Sequence, residues 1–150
     1  MRLAAVAIAC AGAAALSACS GGGGTAREHP RHRVTGADRL AFYHLATTTG
    51  TLRLVISGAA IGRPQPLRRR DSVALRLADA RLGQIAPRDP KLRRALVVLR
   101  PSVGRVARAR DGRPIPKAVA RPALAAADRT TRLLRAFAHR HPGLGSLLPD

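Results

Sequence analysis

The sequence predicts an α+β protein, one small domain of two or three helices and a small sheet, preceded by a signal peptide and a flexible tether. Three observations carry that expectation. Apolar and polar residues alternate over residues 51–57 with the strand period of two. Asp111-Gly112 stands between Arg110 and Arg113 as a hairpin turn would. Residues 124–138 instead repeat apolar side chains at about 100° per residue, the helical period. Composition divides the chain further: an apolar start (1–18), a Gly-rich and polar stretch (19–33), and a mixed segment (34–150) with enough Leu, Val and Ile to close a core.

Residues 1–18 have the order of a secretory signal. Met1 and Arg2 supply positive charge, residues 3–16 are apolar, and Ser17 and Ala18 are small. The apolar run has 14 residues, whereas a bilayer span needs about 20. Ser20-Gly21-Gly22-Gly23-Gly24 stops helix propagation immediately after it. The stretch Leu16-Ser17-Ala18-Cys19 resembles the bacterial lipoprotein signal, whose lipobox is a Leu-like residue, a small residue, Ala or Gly, and then Cys; all four positions match. The resemblance covers residues 1–19 only. It implies a diacylglyceryl group on the Cys19 thiol, cleavage between Ala18 and Cys19, and a lipid-held protein on the extracytoplasmic face of the membrane. Each buried acyl methylene contributes roughly 0.8 kcal/mol, so several chains hold far more firmly than one. Cys10 lacks the pattern, with Ala7 three residues before it, and reads as a small apolar residue.

From Cys19 onward the chain has 132 residues, enough for one domain, and its 27 basic residues less Arg2 against 8 acidic ones leave +18. Such a charge opposes compaction by self-repulsion and favours polyanionic partners. The aromatic residues are Phe42, Tyr43 and Phe137. With Cys10 in the signal and Cys19 consumed by lipid, no thiol remains for a disulfide, for cysteine catalysis or for a Cys-ligated metal.

Residues 20–33 read as the tether, a Gly run followed by a polar stretch with Pro30. Residues 37–46 make a short helix with Leu40, Phe42 or Tyr43, and Leu45 as apolar points. Thr47-Thr48-Thr49-Gly50 ends it, because a β-branched run and a glycine both disfavour continuation. Residues 51–57 follow as a strand, Leu52, Leu54 and Ile56 alternating with Arg53 and Ser57. Gly58, Gly62, Pro64 and Pro66 then make a loop leading to Arg68-Arg69-Arg70. Residues 72–82 fit two patterns: Val73, Leu75 and Leu77 alternate as in a strand, while Leu75, Ala78 and Leu82 suit a helix capped by Asp71 or Ser72. The helix is the preferred of the two.

Asp89-Pro90 is an N-cap followed by the first-turn position where proline belongs, and the predicted helix runs over 90–100 and stops before Pro101. Residues 103–115 form the hairpin, with Pro114 and Pro116 confining its second arm to an edge or a loop. Residues 122–141 form a basic amphipathic helix. Leu124, Ala127, Thr130, Thr131, Leu133, Leu134, Phe137 and Ala138 occupy one half; Arg129, Arg132, Arg135, His139 and Arg140 occupy the other. Asp128 stands one turn before Arg132 as an i, i+4 partner, and Pro142-Gly143 closes the helix.

The candidate polyanion-binding residues are Arg68, Arg69, Arg70, Arg93, Arg94, Arg129, Arg132 and Arg135, with Arg105, Arg108 and Arg110 as a further group. An exported protein would present them to anionic lipids or wall polymers; a cytoplasmic one would meet nucleic acid. No helix-turn-helix, zinc-finger or aromatic stacking signature accompanies them. His29 with His32 and His139 with His141, even with His44 added, lack the i, i+4 spacing and the carboxylate that a metal site needs, and dense arginine repels cations. No nucleophile elbow, phosphate loop or dinucleotide fingerprint is present. No catalytic residue, metal or cofactor is assigned. The sequence thus predicts a membrane-anchored lipoprotein whose non-catalytic basic domain interacts with anionic envelope components. The alternative is a cytoplasmic nucleic-acid-binding protein whose N-terminus mimics a signal, a reading to which Arg27, Arg31 and Arg33, just past the apolar run, belong.

Overall fold

The computed structural model describes residues 33–63 and 66–147. The signal, the lipidation candidate Cys19 and the tether up to His32 lie outside the described residues. Four helices follow one another, α1 (Gly36–Ala60), α2 (Arg69–Gln84), α3 (Pro90–Ala107) and α4 (Lys117–Ala138), and a 3-10 segment (Pro142–Leu147) closes the fold. There is no strand among the described residues, only a single antiparallel bridge between Pro66 and Pro114. The α+β expectation is overturned: the domain is an all-helical bundle. Helix α1 packs on α2 and α4, and α3 packs on the same two; α1 and α3 also meet across the core, while α2 and α4 do not touch.

The largest departure is at α1, where the expected helix, threonine break and strand are one continuous helix. Its threonines do not break it because Leu45, Leu52 and Ile56 bury on one stripe, and three of the hydroxyls bond back within the helix. Thr49 Oγ1 donates to the Leu45 carbonyl at 2.6 Å, Thr47 Oγ1 to that of Tyr43 at 2.9 Å, and Thr51 Oγ1 to that of Thr47 at 3.0 Å. The apparent alternation is also misleading. Leu52 and Ile56 are fully buried but Leu54 is 86% exposed, so burial follows Phe42, Leu45, Leu52, Ile56 and Ala59 along one helical stripe. Thr35 caps the start in a reciprocal capping box with Asp38. At the end, Gly62 takes φ +88°, its N–H reaches the Ala59 carbonyl, and the Arg63 N–H reaches that of Gly58 at 2.8 Å. This is a Schellman closure. A Cβ on Gly58 would lie 2.9 Å from the Arg63 carbonyl oxygen.

For α2 the helical alternative holds: Ser72, Leu75 and Leu82 are buried while Val73 and Leu77 are exposed. Neither Asp71 nor Ser72 is its cap; Arg68 occupies that position without a side-chain bond. Helix α3 begins at Pro90 behind Asp89, whose Oδ1 accepts the N–H groups of Lys91 at 2.7 Å and Leu92 at 3.3 Å. It continues past Pro101. Pro101 and Val97, one turn before it, both face solvent, so the missing hydrogen bond falls on the wet side. The buried stripe Leu92, Ala95, Leu99, Val103 and Val106 runs unbroken beneath. The Asp111-Gly112 turn exists but closes no hairpin. Leu67 pairs with it from the α1–α2 loop, donating to the Arg113 carbonyl at 3.0 Å and accepting from the Gly112 N–H at 2.9 Å.

Helix α4 starts five residues earlier than the sequence pattern suggests, with Pro116 as N-cap and Pro122 inside the helix on an exposed face. Its expected inner half is buried or half-buried and its arginines are exposed. Phe137 and Phe42 meet in the core with ring centroids 5.7 Å apart. Asp128 does not pair with Arg132; it reaches across to Arg53 of α1. The described core lies wholly within the compact unit that begins at Arg33.

Candidate functional site

The candidate arginines are all exposed, since their helices spend the inner stripe on Leu, Ala, Val and Phe. They do not form one patch. Arg68, Arg69 and Arg70 open α2, Arg93 and Arg94 lie in the first turns of α3, and Arg129, Arg132 and Arg135 line the outer side of α4. Because α2 and α4 do not touch, the first and last groups occupy different sides of the bundle. Arg105 belongs to α3, and Arg108 and Arg110 follow its end. Carboxylates among the described residues pair with Arg53, Arg70, Arg76 and Arg140.

One end of the bundle gathers the starts of α1 and α3 and the segment after α4, and two carboxylates organise it from below the surface. Asp38 is 4% exposed. Its Oδ1 accepts the backbone N–H groups of Arg88 at 2.7 Å and Asp89 at 2.9 Å, and its Oδ2 accepts from the Thr35 hydroxyl at 2.7 Å and the Thr35 N–H at 3.3 Å. Burial pushes this carboxyl up, but those bonds together outweigh burial and hold it below its ordinary value. Asp89 caps α3 with one oxygen and holds Arg140 with the other at 3.5 Å.

At the same end lies a cleft of about 540 Å³ lined by Arg33, Val34, Arg39, Arg140, His141 and Leu144, among others. His141 rests on Phe137 with ring centroids 4.7 Å apart. A second cleft, of about 560 Å³, lies beside the end of α3 and mixes Arg76, Arg108 and Arg110 with Asp79, and Arg76 there also pairs with Asp111 at 3.1 Å. A third, of about 220 Å³, lies between α1 and α2 and is lined by His44, Thr47, Thr51 and Arg81. No three potential metal ligands come together among the described residues. None of the described helices is long and apolar enough to cross a membrane.

No protein-family model, curated protein or solved structure matches the chain. The site therefore has to be read from its own chemistry. Sequence reasoning missed Arg33, Arg39 and Arg140 as a group because they come from opposite ends of the domain's sequence. It also missed Asp38, although Thr35-x-x-Asp38 has capping-box spacing.

Proposed function

We propose that this chain is a membrane-anchored bacterial lipoprotein whose mature domain is a non-catalytic basic module engaging anionic envelope components. The observation that carries this reading is Leu16-Ser17-Ala18-Cys19 at the end of a 14-residue apolar run. The compact unit that carries the described core starts at Arg33, 14 residues after Cys19. A bundle studded with exposed arginines and carrying +18 from Cys19 onward is attracted to anionic lipids and wall polymers.

Five of the six described Asp residues have a structural use, Asp79 of the cleft beside α3 being the exception. Asp38 and Asp89 cap helices, and Asp71, Asp111 and Asp128 hold arginines. The reading is tested by Cys19→Ala in a bacterial host. The unaltered protein should fractionate with membranes and the variant should accumulate unprocessed or soluble. Equal membrane recovery of both would remove Cys19 as the anchor, and cytosolic recovery of the unaltered protein on nucleic acid would replace this reading.

A further inference from the structure

Asp38 and Asp89 stand at the end of the bundle that holds the cleft of Arg33, Arg39 and Arg140. Both acids are below the surface: Asp38 is 4% exposed, and the Asp89 side chain is 9% exposed. Every oxygen of theirs described above is already engaged by a hydrogen bond or by Arg140. The cleft itself is lined by Arg33, Arg39 and Arg140, with His141 among its other residues. Arg140 is held toward Asp89 at 3.5 Å yet keeps 47% of its side chain exposed, leaving donors of its five-donor fork for a ligand. No carboxylate among the described residues pairs with Arg33 or Arg39.

Three arginines among the residues lining one concave site of about 540 Å³ offer the paired N–H donors that a tetrahedral oxyanion accepts. Val34 and Leu144, which also line the cleft, suit the apolar edge of an ester better than a bare ion. We propose that this cleft binds a phosphate-ester group, supplied by an anionic phospholipid headgroup of the membrane that carries the anchor. The source, though not the chemistry of the site, rests on the lipoprotein reading. Arg33 lines the cleft and stands 14 residues after Cys19 in the chain, so the cleft includes the part of the domain nearest in sequence to the proposed anchor. Tyr43, 50% exposed, lies one turn beyond Arg39 on α1 with Leu40, 54% exposed, beside it. An aromatic with a polar tip and an aliphatic neighbour belong at a headgroup boundary.

The test compares the chain beginning at Gly21, whose core-bearing unit is intact, with two double variants of equal charge change. Arg33→Ala/Arg39→Ala empties the cleft wall. Arg68→Ala/Arg69→Ala removes two arginines at the start of α2, past the opposite end of α1 from Arg39. Each is titrated with vesicles of equal parts phosphatidylglycerol and phosphatidylcholine, with phosphatidylcholine alone, and with glycerol 3-phosphate in solution. Binding to the anionic vesicles should fall about thirtyfold for the cleft variant, the loss expected for two arginines within a Debye length of such a surface, and less than about threefold for the distal one. Saturable glycerol 3-phosphate binding should disappear in the cleft variant only. Equal losses in both variants would overturn the cleft while leaving the basic-surface reading standing. Glycerol 3-phosphate binding without preference for anionic vesicles would overturn the lipid source, and no binding of the unaltered chain to anionic vesicles at low salt would overturn both readings.

Discussion

Asp38 ties the beginnings of α1 and α3 together, and removing its carboxylate tests whether this end of the bundle depends on it. Two of its bonds cross to α3, from the N–H groups of Arg88 and Asp89, and two complete the cap of α1. A hydrogen bond to a charged acceptor contributes about 1.5–3 kcal/mol and an N-terminal cap about 1 kcal/mol. These contributions share one side chain and do not add fully, so Asp38→Ala should cost about 3 kcal/mol. For a domain of this size that lowers Tm by about 12 °C. Asp38→Asn keeps one oxygen for the two α3 N–H groups and should cost about half as much.

The same carboxylate fixes a pH dependence. Its folded pKa is depressed, so its stabilisation is complete above the unfolded pKa of about 3.9 and is lost as pH falls through the folded value. Circular-dichroism melts of the chain beginning at Gly21, run at neutral pH and in steps below about pH 4, read both effects. The gap between the unaltered chain and Asp38→Ala should be constant near neutrality and narrow in acid. A gap under about 2 °C at neutral pH, or one that acid leaves unchanged, would refute the reasoning.

Other substitutions probe the core. Phe137→Ala should cost about 3–5 kcal/mol and Leu134→Ala about 2–5, since each is 1% exposed, whereas Arg132→Ala and Arg135→Ala should stay within about 0.5 kcal/mol; a membrane-lying α4 would give the reverse pattern in melting curves. Thr130 is fully buried, and no acceptor among the described residues reaches its hydroxyl. Thr130→Val should therefore raise stability by about 1 kcal/mol, while Thr49→Val, which breaks a bond to the Leu45 carbonyl, should not; a melting point lowered by Thr130→Val would place a partner on that hydroxyl.

The elements that were legible carried two agreeing local signals. Asp89-Pro90 combined a capping side chain with a proline suited to the first turn, and α3 starts there. In α4 the apolar and basic halves separate because Leu134, Phe137 and their neighbours repeat at helical spacing on a long element. Misreading came where local propensity and tertiary burial disagree. Thr47, Thr48 and Thr49 lower helix propensity one by one, but Leu45, Leu52 and Ile56 bury on one stripe, and that burial decides α1. Pro101 and Pro122 likewise fall on exposed faces, where a helix tolerates them better than the sequence rule allows. Of the candidate site, the exposure of the arginines was legible from helical phase. Their distribution over separate sides of the bundle was not, and neither was the cleft of Arg33, Arg39 and Arg140, because both depend on which helices touch.

The central claim is that Cys19 is acylated and holds the domain on the membrane, and the mass of the intact protein from fractionated cells tests it most directly. Membrane-fraction protein should begin at residue 19 and carry the mass of a diacylglyceryl cysteine, with or without a further acyl chain. An unmodified chain that still begins at Met1, recovered from the cytosol, would contradict the account.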